Sequence, residues 1–359
     1  MQIKKNRIWL IVAGAVLAVT VTVITTGILW YQSGLQPVNV ADKKEVRIDI
    51  KQGMSAGEVG RSLEEKGVIR SAQVMSIYLR LNGGGDGFKT GVYVVSASQS
   101  LAEIIKHLSS GKTDEFSITF YPGAMLERVD KDSVAAKYDV RTTLSSAGYS
   151  DEEITEAFAA EYQSPVFAGR PDGAGLEGYL YGDTYFIQAG ATAKQVVQRA
   201  IDEMARVVAE NNLEKKFASQ GLTLYEGITL ASIVERESIG CPGKSVCEDQ
   251  REIASVFYNR LNINMMLGSD VTYHYAADKL GVERNYLLDS PYNTRINTGL
   301  PPGPIAVPGL SALNAVADPQ KTDYLFFLSG DDDVTYFGKT EAEHNNNIRN
   351  HCQQKCLLP

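Results

Sequence analysis

Histidine and cysteine are scarce in this chain, and that scarcity narrows its chemistry at once. Four histidines (His107, His274, His344 and His351) and four cysteines occur in 359 residues. None falls in the H-E-x-x-H or C-x-x-C spacing favoured by zinc, so neither a metal nor a cofactor is expected. Charge of one sign is not concentrated either. The net charge of -8 and the pI near 5.2 arise from residues spread along the chain, without the basic patch that a nucleic-acid partner would need. No serine-hydrolase elbow of the G-x-S-x-G type is expected. The glycine-rich stretch at 82–87 lacks the lysine and hydroxyl residue of a phosphate loop and reads as a hinge.

Long hydrophobic runs are missing, with one exception. Residues 8–30 carry no charge and are long enough, at ~1.5 Å per residue, to cross a ~30 Å hydrocarbon core. Lys4, Lys5 and Arg7 precede the run, and Trp30 and Tyr31 close it. This predicts a single-pass helix in the cell (inner or plasma) membrane, with residues 1–7 cytoplasmic and the remainder on the outer face. A cleaved signal peptide is the competing reading, but its apolar region would span only ~7–15 residues. Residues 31–45, with Gly34 and Pro37, read as a linker.

The chain beyond the linker exceeds the size that one core usually serves, so two α+β domains are expected, at 46–113 and 114–359. The first shows a pattern twice. A strand-like stretch at 46–50 precedes the capping box Ser55…Glu58, and another at 92–95 precedes Ser100…Glu103, whose helix stops at Gly111. In the second, 116–120 reads as a strand, and 151–162, 192–211, 223–238 and 252–261 as helices. The prolines at 301, 302, 304 and 308 exclude regular structure and predict an ordered loop. A hairpin is expected from 324–328 and 334–337, turning through Gly330 and three aspartates that read as a solvated turn rather than a calcium site. Cys241 with Cys247 and Cys352 with Cys356 form two close pairs. Local staples or cross-pairing of the two segments are both open.

Two carboxylates within Leu-Ala-Ser-Ile-Val-Glu-Arg-Glu-Ser at 230–238 are the best candidates for chemistry. Apolar surroundings penalise the ionised form, so a glutamate held there can stay protonated near neutral pH and donate a proton. On a helix, Glu235 and Glu237 lie ~200° apart and cannot act as a carboxylate pair. The stripe of Leu224, Ile228 and Ala231 predicts Glu235 as the deeper of the two. Either could instead be structural, paired with Arg236, Arg251 or Arg260. Downstream, Asp270, Thr272, Tyr275, Tyr292, Asn293 and Thr294 are the aromatic and polar groups that line a sugar cleft, although Tyr and Asn in such loops also serve turns and local packing, and both readings are open. His274 reads as a packed histidine.

An ordered set of segments resembles the YceG-like family of membrane-anchored endolytic peptidoglycan transglycosylases. They are Leu176-Glu177-Gly178-Tyr179-Leu180 with Asp183-Thr184-Tyr185, residues 231–238, Ala254-Ser255-Val256-Phe257 with Asn259-Arg260-Leu261, Ser269-Asp270 with Thr272, Ser290-Pro291-Tyr292-Asn293-Thr294, residues 299–305 with Pro308-Gly309, and Glu343-His344-Asn345. The chain departs from the family's pattern at Tyr181-Gly182, Gly268, Val271, Arg295, Val307 and Thr335. The resemblance implies that 46–113 is a LysM-like domain and 114–359 the catalytic domain. It implies Glu237 as the catalytic acid, with Asp270, Thr272, Tyr292, Asn293, Thr294 and Glu177 as substrate-binding residues. It also implies a lyase reaction on peptidoglycan glycan strands that leaves 1,6-anhydro-MurNAc ends, and peptidoglycan synthases as partners. A hydrolytic muramidase using Asp270 to activate water, or a non-catalytic wall-binding scaffold, are the alternatives.

Overall fold

A computed structural model describes all residues except Met1, 84–87, 112–113, 131–132, 239–240, 242 and 358–359, with side chains from residue 15 onward. The expected hinge at 82–87 therefore lies largely outside the described residues. Helices and small sheets mix throughout, as an α+β chain requires, and the contacts divide it into two compact units.

The first unit comprises Met1–Phe116 with Ile187–Ala191. It opens with α1 (Gln2–Leu35), of which Ala15–Leu35 is long and apolar enough to cross a membrane. β1 (Val46–Ile50) pairs antiparallel with β2 (Gly91–Val95), Ile48 opposite Tyr93, and α2 (Ala56–Glu65) and α3 (Ala72–Asn82) connect them. α4 (Leu101–Ser110) follows β2. Both expected capping boxes form: Ser55 with Glu58 opens α2 and Ser100 with Glu103 opens α4. Ser55 also corrects the expectation that no serine-hydrolase letters occur. Gly53-Met54-Ser55-Ala56-Gly57 spells the elbow pattern, but the Ser55 hydroxyl is engaged by Glu58 at 2.7 Å and caps a helix. Val59, Leu63, Val74, Met75, Tyr93, Ile104 and Leu108 make the core, against which Tyr31 and Leu35 of α1 pack.

The second unit comprises Ser117–Phe186 and Thr192–Pro359. β3 (Glu115–Thr119) pairs with β4 (Thr184–Gln188). The helices are α5 (Val140–Ser146), α6 (Asp151–Ala159), α7 (Ala193–Glu210), α8 (Leu213–Ser219), α9 (Leu224–Glu237), α10 (Glu248–Asn262), α11 (Asp270–Leu280), α12 (Leu310–Ala317) and α13 (Glu341–His351). At the centre runs α9, packed by α8, α10, α11 and α12. Residues 227–234 of α9 are all buried, the signature of a helix that is apolar on every side. The last hairpin pairs β5 (Phe326–Ser329) with β6 (Thr335–Gly338). In its turn the aspartates hold neighbouring groups: Asp331 accepts from the backbone of Gln353, Gln354 and Lys355, Asp332 from Tyr336, and Asp333 from Lys355. Cys241 bonds Cys247 and Cys352 bonds Cys356, so both disulfides are local.

Candidate active site

Thr223 starts α9 with a capping box to Glu226, and Ser238 ends it by turning extended, which leaves Glu237 as the last helical residue. Two residues apart, Glu235 and Glu237 reach opposite walls, as helix rotation requires. One face of α9 stitches down the proline loop. Tyr225 donates to the Pro302 carbonyl (2.7 Å), Ser232 accepts from Ile305 N (3.0 Å) and Glu235 accepts from Gly309 N (3.0 Å). Gly309 is the N-cap of α12, so Glu235 fixes the start of that helix. Gly178 lies under the same loop. Its φ is +81°, and a Cβ there would stand 2.4 Å from Pro304, which excludes any larger residue.

The other face presents Glu237 to the start of α11. Ser269 Oγ donates to Glu237 Oε1 at 2.5 Å. Burial pushes the Glu237 carboxyl up to about 7, and Asp270 adds to the rise, while the Ser269 hydrogen bond and the charges of Arg236 and Arg295 oppose it. The C-terminal end of a helix also disfavours an anion. The side chain keeps a partly open surface even though protein surrounds it at longer range, so it is shielded yet reachable. The result is a carboxyl poised near neutrality, as proton donation and then acceptance by one group require. Glu235 is raised as well, by burial, against the Gly309 hydrogen bond. The apolar stripe thus misplaced the emphasis: both glutamates are half-buried, and Glu237 is the one carried to neutrality.

The other expected site residues fall into two sets. Thr272, Asn293 and Thr294 are buried and spend their polar groups on the protein. Thr272 Oγ1 donates to the Ser269 carbonyl (2.7 Å), Thr294 Oγ1 accepts from Ser269 N (3.1 Å), and Asn293 Nδ2 donates to the carbonyls of Tyr286 and Leu288 (2.9 Å each). They clamp Ser269 and the loop beside it. Asp270 and Tyr292 keep open surface. Asp270 pairs with Arg295, and Tyr292 packs on Tyr275 with ring centroids 4.9 Å apart. Glu177 is buried, accepting from Leu126 N at 2.9 Å and facing the Tyr275 hydroxyl at 3.4 Å. Burial carries its carboxyl up to about 7, opposed by Lys279 and by the Leu126 hydrogen bond.

Sequence reading named Arg236 only as a candidate structural partner of the glutamates and Arg295 only as a departure from the family's pattern, and it gave Ser269 no role of its own in this site. Ser269 had a signal, a hydroxyl residue directly before a helix, but that signal means capping, and here the hydroxyl makes no cap bond. Arg236 Nη1 is buried without a hydrogen-bond partner among the described residues, and its guanidinium stands within electrostatic reach of both Glu237 and Glu177. His274 packs edge-on against Tyr273.

The central buried helix thus ends in a neutral-poised carboxyl, Glu237, held by Ser269 and suited by its protonation to serve as a general acid and then a general base. The YceG-like family matches residues 48–350, and the chain belongs to that family. It is 33% identical over 340 residues to the endolytic murein transglycosylase of Bacillus subtilis (strain 168), covering 90% of this chain and 89% of that one. The endolytic murein transglycosylase of Streptococcus pneumoniae serotype 2 (strain D39) is 30% identical over 358 residues, but this chain spans only 62% of its length. A crystal structure of a Listeria monocytogenes protein described as YceG-like superposes with a TM-score of 0.50 at 30% identity, over 85% of this chain and 99% of that one.

Proposed function

We propose that this protein is an endolytic lytic transglycosylase that cuts peptidoglycan glycan strands without consuming water. Protonated Glu237 donates to the glycosidic oxygen between MurNAc and GlcNAc, and the C1–O bond breaks. The resulting carboxylate takes the proton of the muramic acid 6-hydroxyl as that oxygen bonds to C1, closing a 1,6-anhydro ring. Glu237 ends protonated, as it began. The internal hydroxyl replaces an activated water, so one carboxyl serves as acid and then base.

The observation that supports this reading is the isolation of Glu237. Glu235 is held by Gly309 N on the opposite face, and Asp270 is engaged by Arg295. Asp270 and Tyr292 are then the groups that meet the sugar, while Thr272 and Thr294 act through Ser269 and Asn293 holds the loop beside it. The name of the B. subtilis relative points to the same reaction class. In this reading α1 anchors the chain in the cell membrane with its N-terminus cytoplasmic, the first unit is a LysM-like glycan holder, and peptidoglycan synthases that extend the strand are the partners.

Digestion of purified glycan strands in heavy-oxygen water tests the chemistry. A lyase gives products one water lighter than hydrolysis products, with no label incorporated. Labelled, full-weight products would establish a hydrolase and remove the reading, and binding without any cleavage would establish the scaffold.

A further inference from the structure

The first unit carries an apolar groove that a soluble module would not leave open. It has a volume of about 550 Å³ and runs between α1 and α3, lined by Ile24, Gly27, Ile28 and Tyr31 on one side and Ile77 and Leu81 on the other. These residues recur at helical spacing, forming one stripe on each helix. Leu81 is 71% exposed and Ile28 52%. The two helices run antiparallel and close. A Cβ on Gly34 would stand 2.6 Å from Val74, and further toward the end of α3 its Leu81 reaches the level of Gly27 and Ile28.

That level decides what covers the groove. Residues 24–28 lie inside the uncharged run, and at ~1.5 Å per residue they sit ~3–9 Å nearer the membrane centre than Trp30. Trp30, at 44% exposure, marks the headgroup layer, where indole rings concentrate. Setting the outer end of the span at Leu35 instead puts the groove deeper still. The end of α3 therefore enters the outer leaflet beside α1. Arg80, next to Leu81 in the last turn of that helix, has a stem long enough to carry its charge back to the phosphates.

We propose that this groove is a lipid site: the hydrocarbon chain of an outer-leaflet lipid lies between α1 and α3, and the first unit rides on the bilayer with Ile77 and Leu81 immersed. The inference rests on the anchoring role given to α1 and adds a second membrane contact to it. Interfacial burial of one helix face is a familiar way for apolar surface to leave water. Its consequence is that the first unit is fixed against the membrane surface.

The full chain carrying Leu81→Cys, labelled with an environment-sensitive fluorophore and reconstituted in phospholipid vesicles, tests this, with Asp172→Cys in an exposed polar loop as reference. Leu81 is exposed and the native cysteines are disulfide-bonded, so labelling leaves the fold intact. The expected result is blue-shifted emission, quenched by spin-labelled acyl chains and not by aqueous iodide, with the reverse at Asp172. Quenching by iodide alone overturns the proposal. Shielding from both quenchers also overturns it, because the occupant is then protein, and cross-linking through the introduced thiol identifies a second copy. An alkaline carbonate wash separates this from the anchor reading: chain lost from the vesicles disproves the anchor, whereas chain retained with an iodide-quenched probe disproves only the groove.

Discussion

The Ser269 hydroxyl donates to Oε1 of Glu237 at 2.5 Å, although Ser269 occupies the N-cap of α11, where a serine ordinarily accepts from its own helix. The capping bond is given up, and the hydroxyl is spent on a carboxyl of another helix. Local rules broken in this way concentrate at functional sites, because a folding contribution has been exchanged for the placement of a reactive group. The bond directs one oxygen of Glu237.

Ser269→Ala is expected to shift the pH profile. The hydrogen bond favours the ionised carboxyl, so its loss raises the acid's pKa above its present value of about 7. The first step needs the protonated acid, and activity falls as pH rises through that pKa. The alkaline limb should therefore move up, by on the order of one unit given the strength of a charge-assisted hydrogen bond. Pre-steady-state cleavage across pH 5–9 reads it. A limb that stays in place removes Ser269 from the tuning of Glu237.

The two glutamates separate by what their substitution leaves behind. Glu237→Gln keeps the shape and removes the proton, so cleavage should drop by ~10²–10⁴ with melting little changed. In Glu235→Gln the amide oxygen still accepts from Gly309 N, and activity should persist. Glu235→Ala leaves that N–H without its partner, at a cost of about 1–3 kcal/mol, read as a lower melting temperature. Cleavage retained in Glu237→Gln would end its assignment.

How far the sequence foretold this site depends on the kind of signal each residue carries. The α9 boundaries were legible, because Thr223 and Glu226 spell a capping box and the apolar run is long. The opposed directions of Glu235 and Glu237 followed from helix rotation alone. Their relative depth did not, because it is set by α11, α12 and the proline loop, which meet α9 only in three dimensions. Thr272, Asn293 and Thr294 read as sugar ligands because a buried hydrogen-bond clamp has the same composition as a polar cleft. Residues 31–45 read as a linker on the strength of Gly34 and Pro37. In the structure Gly34 is the close-approach point for Val74, and Arg70 grips the carbonyls of Pro37 (2.7 Å) and Val38 (3.1 Å).

That grip changes what lengthening the segment should do. If α1 joined the first unit by a slack tether, added residues would move the cut site and change glycan strand length. With the tie made at Gly34 and Arg70, residues inserted at 41–44 should bulge outward and leave strand length unaltered. Combining the insertion with Arg70→Ala and Gly34→Leu should release the change. Chromatography of glycan strands from cells carrying each variant reads the difference, and a shift from the insertion alone would show the tie to be slack.

Glu177 and Glu237 both weigh on stability, with a sign that their raised carboxyls dictate. Below the unfolded value both states are protonated and nothing is lost. As pH rises, the unfolded chain ionises freely while the native state resists, so the native state binds more protons and stability falls until pH passes about 7. Each shift corresponds to on the order of 3 kcal/mol as an upper limit. Glu177→Gln, whose amide oxygen can still accept from Leu126 N, should raise the melting temperature at pH 8 and leave it unchanged at pH 4. An equal effect at both values would mean that folding does not raise the Glu177 pKa.

The two disulfides should part company when removed. Cys241–Cys247 closes a loop with a sequence separation of 6, and Cys352–Cys356 one of 4. Chain entropy limits either to about 2 kcal/mol, so both double serine variants should fold with modestly reduced stability. Their places differ more than their energies. Cys247 is the N-cap of α10, and Gln250 on that helix donates to Ser238 Oγ at 2.9 Å, directly after Glu237. The first disulfide therefore braces the exit of the helix whose last residue is the proposed acid. The second ties down the chain end beyond α13. Cys241→Ser with Cys247→Ser should lower kcat while KM holds, since a displaced acid weakens the transition state more than substrate binding. Cys352→Ser with Cys356→Ser should leave kcat alone. Equal losses of kcat in both would mean that the brace acts through overall stability and not through the position of Glu237.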